Sequence, residues 1–422
     1  MNEQLLHFIW QHRYFSNTNL QTTNGLPLQI IRTGLLNVNQ GPDFSAASII
    51  IDNIKMIGNI ELHKKASDWY QHKHQYDPLY QPIILHVVWE PDRDVIAANG
   101  MVIPCLHLAP FVSKIMLRNF SQMMLKRKGF ACEKLLGKLN PLIWESWQER
   151  LAVERLSRKA VELKQKLDVL KGDWNMLALS LFAHSMGGRV NGVAFETAMN
   201  TLSFQQIIRL SKDPDQLNAW LLGLLALLPP NAKDSYPNAL ISTYDFLQKK
   251  YRIGYAVPQA VFLRMRPAGF PTLRVAQLVN WIYHHSAVFN ELTRPSNREI
   301  CNEILTMQAA AYWDTHFCFD QLAPSLVKQV GQAKKDTLVI NVIVPLIFTY
   351  GLVYNKTDWQ ERAIAILLEV APEENITVRQ WQKAGAPQKN AMQTQALLEL
   401  EKNYCSVKKC LHCAIGNAIL KS

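Results

Sequence analysis

The 422-residue sequence predicts an α+β protein. An N-terminal α/β domain over residues 1–115, ordered helix, three strands, helix, strand, precedes a large, irregular all-helical domain over 116–422. Three observations predict it. Short β-branched runs bounded by turn residues crowd the first 115 positions, and apolar residues recur at helical spacing almost everywhere after them. The charge also changes character at the same place: residues 1–115 carry eight Lys/Arg against nine Asp/Glu, whereas the rest carry 37 against 25.

In the first domain, Leu5, Leu6, Ile9 and Trp10 fall at helical spacing within residues 2–14, and Asn24-Gly25 then marks a turn. Leu26 to Thr33, Phe44 to Ile51 and Met56 to His63 are the strands, separated by Gly41-Pro42 and by Asp52-Asn53. Ser67-Asp68 has the character of a helix cap, and the spacing predicts a helix from there to about Tyr80. Trp69, His72, Lys73, Tyr76 and Tyr80 would share one face of that helix, with His74 pointing away. Pro82 then opens the strand IILHVVWE, in which His86 reads as a core histidine.

The remainder reads as helices at 149–170, 174–182, 217–228 and, further on, near 240–250, 272–285, 297–312, 359–370 and 390–402. No fixed-period repeat is present. The charge-free run Thr337 to Tyr354 reaches the length of a membrane span, but Asn341 and Pro345 within it predict a buried core helix kinked at the proline. FAHSMGG, 182–188, imitates the Gly-x-Ser-x-Gly elbow of a hydrolase around Ser185, yet it follows a helix rather than a strand and its first glycine is Ala183. Gly187-Gly188 is expected to end that helix.

With 48% hydrophobic residues the chain can bury sizeable cores, so a disordered or fibrous protein is excluded. Seven cysteines form no secreted scaffold and MNEQLLHFIW is no signal peptide, so a cytoplasmic location with reduced thiols and no membrane partner is expected. The basic excess suits a polyanion such as nucleic acid. Seven of the twelve histidines lie in the first domain, where chemistry-bearing residues concentrate.

On the third strand Glu61 and His63 point the same way, while Asp43 opens the neighbouring strand. If the strands pair, two carboxylates converge beside a basic group. That arrangement suits a hard divalent ion, Mg²⁺ or Mn²⁺, and the activation of a water for phosphodiester attack. RMRPAGFPTLR, 264–274, offers Arg264, Arg266 and Arg274 either to an anion or to helix C-termini and buried acids, and Lys126-Arg127-Lys128 is a second basic cluster. Cys405, Cys410 and Cys413, separated by four and two residues, have thiolate-ligand spacing; Cys132, a distant cysteine or His412 could supply a fourth ligand for Zn²⁺ or an iron–sulfur cluster.

The element order, Gly41-Pro42-Asp43 and Glu61-Leu62-His63 together resemble the PD-(D/E)XK nuclease superfamily, with Glu3 matching an acid that some members carry on the first helix. The resemblance implies catalytic roles for Asp43, Glu61 and the basic residue. His63 occupies the lysine position, so either it substitutes or Lys65 or Lys73 reaches in. Some nucleases of that superfamily strap their termini with one upstream cysteine and a C-terminal trio. Over nearly its whole length the sequence also resembles an uncharacterised bacterial family, domain of unknown function 2851. That likeness rests on Asn39 to Phe44, Gly58 to His63, Ser67 to His74, Leu85 to Val88, Arg266 to Pro271 and the terminal cysteine segment. It implies no activity by itself. The expected function is cleavage of DNA or RNA, the rival being a catalytically silent nucleic-acid-binding or scaffold protein of the same fold.

Overall fold

The structure is a computed structural model that describes residues 1–421 apart from 82, 126–129, 134, 135, 137, 138 and 253–255. Pro82 and the Lys126-Arg127-Lys128 cluster therefore lie outside the described residues. The chain forms a mixed α+β architecture and divides into two compact units. Unit 1 comprises Met1–Trp144 and Glu401–Ser422, and unit 2 comprises Glu145–Leu400. The division falls later than residue 116, and the cysteine-bearing C-terminus belongs with the first unit rather than with the helical one.

Unit 1 begins with α1 (Glu3–Gln11), whose first turn is capped by the Asn2 side chain accepting from Leu5 N at 2.9 Å. Leu6, Ile9 and Trp10 are fully buried, and the Trp10 indole donates to Thr33 O at 3.0 Å. A sheet follows: β1 (Leu28–Arg32), β2 (Leu35–Leu36), β3 (Phe44–Ile51), β4 (Ile54–Lys65), β5 (Ile83–Glu90) and β6 (Cys105–His107). Its order is β1-β3-β4-β5-β6, with β2 also on β3. The first half is antiparallel, whereas β4, β5 and β6 run parallel. The β3–β4 hairpin turns at Asp52 and Asn53, both at positive φ (48° and 65°), which is the backbone that a twisted two-residue hairpin requires.

The parallel β4–β5 connection departs from the expected long helix. Only α2 (Asp68–Gln71) is α-helical, and two 3₁₀ turns, His74–Tyr76 and Pro78–Tyr80, complete the crossover. Lys73 adopts a left-handed φ of 63°, which ends the helical rise. Trp69 is buried under the crossover, packed with Ala66, Val88, Val95, Ile103 and Cys105. Tyr76, expected on a packed face, is instead 80% exposed.

Unit 2 is built almost wholly of helices around buried tryptophans such as Trp220, Trp281 and Trp313. A helix over Pro141–Val169 enters it, and the helix that follows from Trp174 breaks at Gly187-Gly188, as expected, before a further helix runs on to Met199. Gly188 (φ 64°, ψ −158°) is non-helical, a conformation open to a residue without Cβ, and it ends the first helix at a kink. Ser185 lies within that helix, so no strand-borne elbow forms. Arg155 and Arg158 converge on the buried carboxylate of Glu399, the latter at 2.7 Å. Among the described residues one helix, Gln332–Val353, is long and apolar enough to cross a membrane, and 67% of its most apolar window is buried within the protein. A π-helical turn, Val339–Ile343, precedes Pro345 in it and accommodates the proline's missing N–H. A two-stranded ribbon, His316–Cys318 with Gln321–Leu322, interrupts the helices and was not expected.

Candidate metal centre

The parallel register of β4 and β5 assembles the centre. Glu61 pairs with His86 and His63 with Val88, so Glu61, His63 and His86 share one sheet face. All three are buried, at 4%, 1% and 0% exposure. Asp43, just before β3, is tied to β4 by two bonds: its N–H donates to Glu61 Oε2 at 3.0 Å, and its Oδ2 accepts from Leu62 N at 3.0 Å. Each carboxylate thus binds the backbone of the other's strand. From α1, His7 Nε2 comes within 3.1 Å of Asp43 Oδ2.

The crossover then delivers two histidines. His63 Nδ1 lies 2.8 Å from His86 Nε2, and His63 Nε2 lies 3.1 Å from His72 Nδ1. Glu61 Oε1 is 3.6 Å from His63 Nε2 and 3.4 Å from His74 Nε2. His74 stacks on Tyr80 with ring centroids 3.8 Å apart, while Trp69 meets it edge-on. One ligand atom from each of His63, His72 and His74 lies within 4.8 Å of the others.

Some of these spacings fit a metal ion. Donors about 2.0–2.1 Å from a tetrahedral ion lie about 3.3–3.4 Å apart; His63–His72, Glu61–His63 and Glu61–His74 are separated by 3.1, 3.6 and 3.4 Å, and the three histidine donors lie within 4.8 Å of one another. The buried His74 Nε2 has no partner of hydrogen-bond geometry and faces Glu61 Oε1 at 3.4 Å. His86 completes the arrangement from outside: its Nε2 engages His63 Nδ1 and leaves His63 Nε2 facing the centre, the position of an outer partner to a ligand.

The electrostatics point the same way. Burial, then the neighbouring histidines, holds the His63 pKa down to about 2, and burial chiefly holds His86 down to about 3. Both are neutral imidazoles, as ligation requires. Burial pushes the Glu61 carboxyl up, with the Asp43 charge adding to it and the His74 contact opposing it. A cation at this point would relieve that penalty. Burial opposes the charging of His7, but contact with Asp43 and the fields of Asp43, Glu3 and Glu61 outweigh it, and its pKa is raised.

Other expected residues sit elsewhere. Lys65 is about half exposed, with Nζ 3.8 Å from Glu90 Oε2, so it does not complete the centre. Lys73 is exposed on the left-handed turn, and Glu3 is exposed on α1, where it acts on His7 only through its field. In unit 2, Arg264 and Arg266 are exposed on the surface, whereas Arg274 donates to Gln277 Oε1 at 2.9 Å and is half-buried. His74 was misplaced by helical periodicity, and His7 carried no motif. The clue to both was the concentration of histidines in the first 115 residues.

The cysteines gather within unit 1. Burial first, then the nearby thiols of Cys132 and Cys413, the Glu401 carboxylate and the Cys410 thiol, push the Cys405 thiol far above its ordinary value. Cys132 and Cys413 are buried, Cys405 and Cys410 half-buried, and His412 exposed. The helix Ala414–Lys421 packs so tightly on the Cys410–His412 turn that a Cβ at Gly416 would overlap the Cys410 carbonyl.

Fold and centre define an α+β protein with a mixed sheet and a buried centre of histidines and carboxylates. The family described as Protein of unknown function (DUF2851) matches residues 3–376, and the chain belongs to that family. The matched span includes every residue of the histidine centre and stops short of the three C-terminal cysteines. No curated protein and no solved structure matches the chain.

Proposed function

We propose that unit 1 is a metal-dependent hydrolase of phosphodiester bonds in DNA or RNA, with the ion held by Glu61, His63, His72 and His74. The observation that carries this reading is the cluster of His63, His72 and His74 donors within 4.8 Å of one another, with Glu61 Oε1 3.4–3.6 Å from two of them and the Asp43 N–H bonded to Glu61. Three imidazoles move the ion preference from Mg²⁺ toward Mn²⁺ or Zn²⁺, because nitrogen donors favour transition ions. Asp43, expected as a direct ligand, instead forms a pair with His7 at 3.1 Å that can accept a proton from an attacking water. Such an ion would lower the pKa of that water and offset charge on the phosphoryl group.

The topology supports the nuclease-like assignment, since antiparallel strands bearing Asp43 and Glu61 lead into a parallel crossover as in that superfamily. Exposed Lys73 beside the centre and the basic excess after residue 115 suit a nucleic-acid substrate in a cytoplasmic setting. The rival is a silent nucleic-acid-binding protein, and Lys65's engagement by Glu90 favours it, because no lysine among the described residues joins the centre. Cleavage of single- and double-stranded DNA and RNA by the purified chain with Mn²⁺, Zn²⁺ or Mg²⁺ separates the two readings. Loss of cleavage in Glu61→Gln supports hydrolysis, whereas no cleavage with any of these ions, or an equally active variant, refutes it.

We also assign Cys132, Cys405, Cys410 and Cys413 to a structural Zn²⁺ or an iron–sulfur cluster, supported by the mutual effect of their thiols at Cys405. Anaerobic purification and metal analysis test this. Zinc or iron near one site per chain supports it, and folded protein free of both refutes it.

A further inference from the structure

Unit 2 contains a cavity of about 480 Å³, within the usual size of small-ligand sites. Its lining combines cations with an apolar wall. Lys159, Lys166 and Arg189 reach it from the helices over Pro141–Val169 and Trp174–Met199, while Leu163, Leu181 and Pro345 form the apolar side.

The charges are unequally spent. Lys166 pairs with Glu196, which also binds His184 Nδ1 at 2.8 Å. Glu162, the acid on the lining, is engaged by Arg158 at 3.3 Å. By contrast, the hydrogen bond of Lys159 Nζ goes to the neutral Asn341 Oδ1, at 3.2 Å; Glu373 and Glu162 act on it through their fields, without an ion pair among the described residues. Arg189 is exposed and has no ion pair among the described residues. Burial holds the Lys159 pKa down to about 8, a penalty that an anion in the cavity would relieve.

Two features add directed donors. The Gly188 kink starts the second half of its helix at the cavity wall, where Gly188 and Arg189 line it, and first-turn amides of a helix lack internal acceptors. Ser185, also on the lining, is 7% exposed, and its hydroxyl has no hydrogen-bond partner. Two unpaired cations, an unused hydroxyl and an apolar wall match a doubly charged phosphate on a compact organic body.

We propose that this cavity binds a small phosphate monoester of about mononucleotide size, with Lys159 and Arg189 on the phosphate and Leu163, Leu181 and Pro345 against its body. The site is distinct in position and chemistry from the histidine centre of unit 1.

Calorimetric titration of the full chain at low salt with adenosine 5′-monophosphate, inorganic phosphate and adenosine tests the assignment. The monophosphate is expected to bind at least about tenfold more tightly than adenosine, and Arg189→Ala to weaken it about tenfold, equivalent to ~1.4 kcal/mol. Because Arg189 is exposed, this variant keeps its fold, and Lys159→Met serves as the second, buried test. Absence of monophosphate binding, equal affinity for adenosine, or unchanged affinity in Arg189→Ala overturns the site. Binding of a single-stranded oligonucleotide without the monophosphate would also overturn it, by reassigning these cations to a nucleic-acid backbone.

Discussion

Replacing His72 with alanine tests the metal centre with little disturbance of the fold, since His72 is exposed while His63 beneath it is buried. Surface truncations of this kind shift stability by about 0.5 kcal/mol or less. The donor atom removed lies 3.1 Å from His63 Nε2, so the candidate centre would lose one of its proposed nitrogen ligands. A loss of about 100-fold in metal affinity is expected, the upper range seen when even an outer partner of a metal ligand is removed. Held at about 100 times the wild-type Kd, the ion stabilises wild type by about 2.7 kcal/mol and the variant by only about 0.4 kcal/mol. At about 2–4 °C per kcal/mol for a domain of this size, the metal-induced rise in Tm should be about 5–9 °C smaller in His72→Ala. Thermal unfolding of chelator-stripped protein, with and without Mn²⁺ or Zn²⁺, measures it. An equal rise in both proteins, or none in wild type with either ion, refutes the centre.

Lys65→Met should leave any cleavage activity unchanged and cost no more than about 1 kcal/mol in a urea titration, because its Glu90 partner is a half-exposed surface contact; an inactive variant would restore the lysine to the site. Gly416→Ala should destabilise unit 1 by about 1–3 kcal/mol, since the new methyl overlaps the Cys410 carbonyl, and an unchanged urea midpoint would contradict the packing. The depressed Lys159 pKa, about 8 against 10.5, means the unfolded chain binds the extra proton between those values. Stability from this lysine therefore rises with pH across that window. Wild type should gain on Lys159→Met from about pH 8 to about pH 10, and a constant difference in unfolding free energy would show the ammonium to be solvated.

Where local chemistry decides structure, the sequence was readable. Gly41-Pro42 and Asp52-Asn53 bracket β3 at the residues expected, because turn backbones at positive φ favour few residue types. The acidic pair was readable for a related reason: strand alternation placed Glu61 and His63 on one face, and Asp43 sits at the start of the neighbouring strand. The crossover was not readable. Periodicity extended one helix through Lys73, and that single left-handed residue rotates His74 from the far side into the centre. Gly187-Gly188, by contrast, was readable, since Gly188 takes a left-handed φ that ends the first of two helices at a kink. β6, three residues long, offers too few positions for any alternation to register.

The short crossover also bears on how the centre comes together. Glu61, His63, His72 and His74 lie within fourteen consecutive residues, although the sheet around them draws on strands from Leu28 to His107. The entropy of closing a loop grows with the logarithm of its length, so bringing these four side chains together costs little compared with aligning β1 or β6. The donors can meet as soon as the end of β4 and the Lys73 turn exist. An ion captured at that stage would hold the crossover in the form that β5 needs to dock in parallel, making the centre an early organiser of the sheet it serves.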